Sequence, residues 1–342
     1  MPFLHNKVDR KIMEERLLND PRPRTTLSFY KYHRIENAAD FRDALFIAFE
    51  KIEVLGRIYV ATEGINAQIS LPTERLEAFE QLLATPPFDF LDGIRLNYAI
   101  DDDGKSFATL KVKHREKIVA DGLPDGLINP ADAATYLKAQ EYNNLVESNP
   151  DVVVIDMRNA YEFEVGHFEG AQKIDVDTFR EQLPVAVEQF QDAKEKPVVM
   201  YCTGGIRCEK ASAYFKHHGF KEVYHLEGGI IEYTRQAKNL GIDVKFKGKN
   251  FVFDRRLGEK ITDDVLANCH QCGEPFDHHV NCANQYCHTL FIQCPTCAEE
   301  MQGCCSNECK EFLHLPEEQQ KELGHRFKPD GSKYLKRKKF RD

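Results

Sequence analysis

The sequence predicts a multidomain α/β protein, and three observations carry that prediction. Residues 25–120 alternate strand and helix patterns in the order βαββαβ, which is that of a ferredoxin-like α+β sandwich. From Asn129 onward, continuous apolar runs alternate with helical stretches, as in a parallel sheet with crossover helices. Beyond Gly241 this rhythm stops and cysteines crowd the chain. At 342 residues the chain also exceeds one ordinary core. The expected units are a ferredoxin-like domain over 20–122, a parallel α/β domain over 125–240, a cysteine-rich segment over 241–315 and a basic tail over 316–342.

In the first unit, Thr26 to Tyr32 is β-rich and Ala38 to Lys51 has the spacing of an amphipathic helix. Arg57 to Ala61 and Asn66 to Ser70 read as strands joined across Glu63-Gly64-Ile65. A helix over Thr73 to Leu83 follows Pro72, and Ile94 to Ile100 and Thr109 to Val119 close the unit as strands. The last strand is therefore extended or doubled. Pro124-Asp125-Gly126 marks a turn and linker. Val152 to Asp156, Val198 to Tyr201 and Glu222 to Leu226 are the strands of the second unit.

The chemistry is densest at Cys202-Thr203-Gly204-Gly205-Ile206-Arg207-Cys208, between the strand ending at Tyr201 and a helix from Glu209 to Lys216. A strand end, a Gly-Gly loop and a helix start direct backbone N–H groups and the helix dipole into one pocket. Those features lower a thiol's pKa, so Cys202 is the candidate nucleophile. Arg207 either holds a negative group near Cys202 or satisfies loop carbonyls. Cys208 is either a resolving thiol or a core-facing helix residue. The gap between Cys202 and Arg207 is one residue shorter than in cysteine phosphatases, which suits sulfur better than a phosphoryl group.

Composition excludes several classes. No apolar run approaches the ~20 residues a membrane span needs, and Met1 to Asp20 lacks a signal-peptide core, so a cytoplasmic protein is expected. Eleven cysteines there argue for thiol chemistry and metal ligation rather than disulfides. Most of the net charge of −9 lies in residues 121–240, which carry 12 basic against 20 acidic residues. The flanking regions are balanced and hold basic patches that a nucleic acid could use. No dinucleotide fingerprint occurs, and no organic cofactor is expected.

Nine of the cysteines fall within residues 269–309. Cys269 and Cys272, Cys282 and Cys287, Cys294 and Cys297, and Cys304 with Cys309 form four closely spaced pairs, Cys305 standing beside Cys304. Such pairs reach one tetrahedral ion from a tight turn, so two structural zinc sites are expected, in sequential or interleaved order. His270, His278, His279 or His288 could replace a ligand, and a reduced metal-free cluster or an Fe–S centre are the alternatives.

Further motifs sharpen the reading. Ile155-Asp156-Met157-Arg158 through Glu162, then Gly166-His167-Phe168-Glu169-Gly170, and finally Leu226-Glu227-Gly228-Gly229 resemble the signatures that frame the active loop of rhodanese domains. At a strand's carboxyl end Asp156 and Arg158 can pair and buttress the loop, and His167, beside Gly166, either fixes a turn by hydrogen bonding or acts as a base. Upstream, Glu63-Gly64-Ile65-Asn66 resembles the signature of a bacterial family with an acylphosphatase-like domain before the rhodanese and a cysteine-rich tail after it. The whole arrangement resembles the tRNA uridine 5-hydroxylase family over about residues 20–315. The resemblance implies oxygen-dependent formation of 5-hydroxyuridine at the wobble position of tRNA, with Cys202 as a persulfide-bearing catalytic residue.

Two routes are open to the thiolate: addition to uracil C6, or carriage of a persulfide or oxidised sulfur. A sulfurtransferase passing persulfide sulfur to a partner protein or tRNA is the alternative function, and a non-catalytic RNA-binding adaptor is a third. The partners implied are tRNA and a protein that donates sulfur or electrons. Lys111, Lys113, Arg115 and Lys117 alternate along one expected strand and present one basic face, and Arg22, Arg24, Lys31 and Arg34 add charge. The densest run, Lys333 to Arg341, contains Lys336 and Arg337. In the context of a tRNA-modifying family these groups are expected to clamp phosphates.

Overall fold

The protein is described by a computed structural model covering residues 8–176 and 178–327. A helix, α1 (Arg10–Asn19), precedes the first sheet. That sheet is built from β1 (Arg24–Tyr32), α2 (Ala38–Lys51), β2 (Leu55–Ala61), β3 (Gly64–Pro72), α3 (Leu76–Leu83), β4 (Asn97–Tyr98) and β5 (Leu110–His114). Its strand order is β4-β1-β3-β2-β5. The first four strands are antiparallel neighbours in the ferredoxin-like order, and β5 adds to the edge parallel to β2.

One face of this sheet is apolar because the strands alternate. Leu27 and Phe29 of β1, Ile58 and Val60 of β2 and Ile65 and Ala67 of β3 point into one core. Phe41, Leu45 and Phe49 cover it from α2, whose first turn is capped by the Asn37 side chain accepting the Asp40 N–H at 3.2 Å. The β2–β3 hairpin is tighter than the sequence predicts. Ala61 pairs with Gly64, leaving Thr62 and Glu63 as the turn. Gly64, at φ +142°, makes this possible, since a Cβ there would lie 2.0 Å from the Lys31 carbonyl oxygen.

The second unit comprises β6 (Thr135–Leu137), α4 (Ala139–Ser148), β7 (Val153–Asp156), α5 (Ala160–Val165), β8 (Gly166–Phe168), β9 (Gln172–Lys173), α6 (Phe179–Gln189), β10 (Pro197–Tyr201), α7 (Ile206–His217), β11 (Glu222–Leu226) and α8 (Gly229–Leu240). Its sheet is parallel throughout, in the order β6-β11-β10-β7-β9. The central strand is apolar on both sides because both are covered. Val198 and Met200 join the core that includes Leu183 of α6 and Phe215 of α7, while Val199 and Tyr201 join Tyr142 of α4 and Tyr233 of α8. The short strands β6 and β9 have too few residues for a periodic signal.

The remaining chain forms β12 (Phe246–Asn250), β13 (Glu259–Lys260), β14 (His279–Asn281), β15 (Leu290–Ile292), α9 (Pro295–Glu300), α10 (Asn307–Leu313) and α11 (Glu317–Leu323). Strand β12 pairs with β8, tying this segment to the parallel unit. Its own small core is largely sulfur, with Cys282, Cys304, Cys305 and Cys309 packed around Phe291. Among the described residues no helix is long and apolar enough to cross a membrane.

Candidate active site

Cys202 follows β10, the central strand, at the carboxyl edge of the parallel sheet, where α/β folds place their sites. Gly205 closes the loop at φ +98° and gives its N–H to Cys202 Sγ at 3.1 Å. A side chain is excluded at Gly205 on a second count, because a Cβ would stand 2.8 Å from the Tyr30 hydroxyl. The sulfur is fully buried. Burial opposes its ionisation, but hydrogen bonding from Cys208, the Arg207 charge and the N–H groups of Arg207 and Cys208 outweigh it and bring the thiol down to about 6. Cys208 is driven the other way, chiefly by burial and by bonding to Cys202. Its side chain is fully buried in the core of the parallel unit.

Within the chain, Arg207 is held by a carboxylate that the sequence reading did not single out. Its guanidinium is bidentate to Glu162 at 2.7 and 2.9 Å and bonds Thr203 Oγ1 at 3.2 Å. Glu162 lies on α5, 45 residues away, which is why the sequence did not reveal it. Arg207 thus holds the loop and supplies positive potential to Cys202. Asp156 and Arg158 form the expected buttress, with Arg158 Nη2 at 2.7 Å from Asp156 Oδ2, both fully buried. His167 fixes its turn, its Nδ1 2.9 Å from the Phe163 carbonyl oxygen.

The first unit packs against this loop. The Tyr30 hydroxyl donates to Glu209 at 2.8 Å and the Tyr32 hydroxyl to the Ile206 carbonyl at 3.2 Å. Lys210, almost fully buried, bonds both Glu63 oxygens at 2.9 Å and Asp121 at 2.6 Å. Glu63 also accepts the Ile118 N–H at 2.7 Å. The Glu63-Gly64 signature is therefore a bolt between the two units, with Glu63 pinning the helix that begins at the active loop. Buried charges of this kind persist only when paired.

Between the units lies a cleft of about 1870 Å³. Cys202, Thr203 and Arg207 line one side; Tyr30, Arg57, Tyr59 and Lys111 line the opposite wall, on the sheet face away from the apolar core. The cysteine-rich segment adds Tyr286, Cys287 and His288.

The basic candidates divide. Lys111 reaches the cleft and Lys113 is exposed on the same face of β5. The strand stops at His114, so Arg115 and Lys117 are not part of it. Arg115 lies over the Tyr59 ring at 5.7 Å. Lys117 turns away to Asp121 at 2.8 Å and Asp125 at 3.4 Å, so its charge is already neutralised. Arg22 is likewise paired, with Asp20 and Glu53. Lys336 and Arg337 lie outside the described residues.

The cysteines form two interleaved quartets, Cys269 with Cys272, Cys294 and Cys297, and Cys282 with Cys287, Cys305 and Cys309. This corrects one expected ligand: Cys305, not Cys304, completes the second set. Cys304 is fully buried but outside the quartet, while Cys305 approaches Cys287 at 3.7 Å and Cys309 at 3.8 Å. No histidine joins either quartet among the described residues. A metal held tetrahedrally at about 2.3 Å from four thiolates sets the sulfurs about 3.8 Å apart. The observed spacings fit one ion per quartet, whereas a sulfide-bridged cluster would spread its thiolates farther.

Three family models match the chain: a UPF0176 acylphosphatase-like domain over residues 24–118, a rhodanese-like domain over 138–236 and a rhodanese C-terminal region over 247–310. A tRNA uridine(34) hydroxylase of Pectobacterium carotovorum is 58% identical over 323 residues, which is 94% of this chain and 90% of that protein. Proteins of the same name from Photorhabdus laumondii and Yersinia pestis are 57% and 58% identical, over 94% of this chain and 91% and 90% of their own lengths.

Proposed function

Because the chain belongs to the tRNA uridine(34) hydroxylase family, we propose that it converts the wobble uridine of tRNA to 5-hydroxyuridine with molecular oxygen, using Cys202 as the reactive group. The observation that carries the role of Cys202 is its position: a sulfur held as thiolate at the cleft between the loop and the polar face of the first sheet. The cleft exceeds the ~300–1,000 Å³ of a small-molecule pocket and suits an extruded nucleotide with its neighbours. Tyr30 and Tyr59 offer aromatic surface to a base, and Arg57, Lys111 and Lys113 offer charge to phosphates. By sequence, the tail run containing Lys336 and Arg337 is a further source of charge for phosphates, and action on tRNA implies a cytoplasmic protein.

The chain's own groups divide the work. The Gly205 N–H, Cys208 and Arg207 keep Cys202 ionised, so both addition to uracil C6 and carriage of a persulfide start from the reactive form. Glu162 and Thr203 fix Arg207 in turn. Each cysteine quartet would hold one zinc ion through its four thiolates, and such a four-thiolate site would contribute to folding rather than to the reaction. The sulfurtransferase reading rests on the loop alone.

The test uses a bacterial strain lacking this gene, complemented with the chain and grown in air or without oxygen. Mass spectrometry of its tRNA nucleosides is expected to give 5-hydroxyuridine in air and none without oxygen. Its absence in air would exclude the function.

A further inference from the structure

We infer that Tyr30, Glu209 and Tyr136 form a proton relay that carries the proton released in the Cys202 cleft to solvent at Tyr136. Three observations place these groups in line. Tyr30 lines the cleft and its hydroxyl lies against Gly205, the residue whose N–H bonds Cys202. That hydroxyl donates to Glu209 Oε1 at 2.8 Å. Tyr136 donates to the same carboxylate, at 3.0 Å from Oε1 and 2.9 Å from Oε2. Tyr136 is 48% exposed, so the chain of hydrogen bonds opens to water.

The setting of Glu209 distinguishes this group from the structural ion pairs nearby. It is buried, yet no lysine or arginine stands within ion-pair distance among the described residues. Its nearest basic group is His225, 3.9 Å away, fully buried, with no hydrogen-bond partner at either ring nitrogen among the described residues. Burial holds His225 down to about 4, so it stays neutral. The other charged or titratable groups around the carboxyl are the Cys202 thiolate and the more distant Arg95, which is engaged with Glu227. Burial shifts Glu209 upward, which makes it a better proton acceptor than an ordinary carboxylate. A carboxylate held by two phenols and no cation is suited to changing its protonation state.

The inference rests on the hydroxylation reading. Once oxygen is bonded at C5 and a nucleophile at C6, the C5–H bond breaks. Its electron pair restores the C5=C6 double bond as the group at C6 leaves with its own pair, and the C5 proton is freed. That proton passes to the Tyr30 oxygen as the Tyr30 proton moves to Glu209. Neutral Glu209 then gives a proton to the Tyr136 oxygen while the Tyr136 hydroxyl proton leaves to water. One proton enters, one leaves, and all three groups regain their starting forms.

Tyr136→Phe is the informative variant, since Tyr136 belongs to the parallel unit and its hydroxyl bonds only Glu209 among the described residues. The assay follows 5-hydroxyuridine formation on unmodified tRNA in an air-saturated extract of the deletion strain supplemented with purified protein. Tyr136→Phe is expected to lower kcat about tenfold or more at unchanged KM for tRNA, with the rate recovering on addition of imidazole as a diffusible proton carrier. Glu209→Gln is expected to show a larger, equally rescuable loss. An undiminished kcat in Tyr136→Phe, or a loss that imidazole leaves unchanged, would overturn the relay. Failure of the wild-type protein to form 5-hydroxyuridine in the same extract would instead count against the hydroxylation reading.

Discussion

Replacing Cys202 by serine is expected to reduce 5-hydroxyuridine in cellular tRNA by about a thousandfold or more, to background. Serine keeps the size of the side chain and can accept the Gly205 N–H, so the loop and the Arg207–Glu162 pair remain in place. Only ionisation is lost, because a hydroxyl stays protonated where the thiol does not. The expected stability change is within about 1 kcal/mol, in the range of mild single substitutions. Nucleoside mass spectrometry and a thermal melt on the same variant check both halves. Retained hydroxylation in a folded Cys202→Ser protein would show that the reactive atom lies elsewhere.

The second large effect concerns the metal sites. Purified protein is expected to contain two zinc ions per chain, and stripping them with a strong chelator is expected to unfold the segment from β14 to α10. Structural zinc contributes an apparent ~10–16 kcal/mol to such modules, and the buried core around the second quartet is Phe291 and cysteines, with only partly buried apolar groups such as Val280 and Leu313 beside them. The interleaved quartets make a finer distinction. Cys305→Ser is expected to lower the zinc content by one ion and destabilise the protein, while Cys304→Ser retains both ions. Elemental analysis decides it, and the reverse pattern would contradict the ligand assignment. Because Tyr286, Cys287 and His288 line the cleft, loss of this ion is expected to lower hydroxylation too.

What could be read from the sequence was local. The strand, Gly-Gly loop and helix around Cys202 are contiguous, so their chemistry is visible without a fold. The Asp156–Arg158 pair spans two residues and was equally accessible. Partners far apart in the chain were not. Tyr30 meets Glu209 across 179 residues, and Lys210 meets Glu63 across 147. Helix α7 reads as polar on one side, yet Glu209 and Lys210 are buried against the first unit and Arg207 against Glu162 of α5. A signal was present all the same, in four consecutive residues Arg207 to Lys210 with three charges beside a reactive cysteine. Adjacent Cys304 and Cys305 posed a different problem: spacing could not say which of the two sulfurs faces Cys287, and only the packing decides it. Lys117 misled for a third reason. Alternating charges suggested a long strand, but Glu63 captures the Ile118 N–H and draws the chain out of the sheet.

The central claim is that this fold holds Cys202 as a thiolate. Ultraviolet thiolate absorbance, taken as the difference between wild type and Cys202→Ser across pH, measures that ionisation directly. The sign is fixed by the lowered pKa: the thiolate persists from neutral pH down to the folded value and is lost as the pH falls through it. A half-point at about 6 is the result expected from the loop's hydrogen bonds and the Arg207 charge. A half-point at about 8.5, the value of an ordinary free cysteine, would contradict the account.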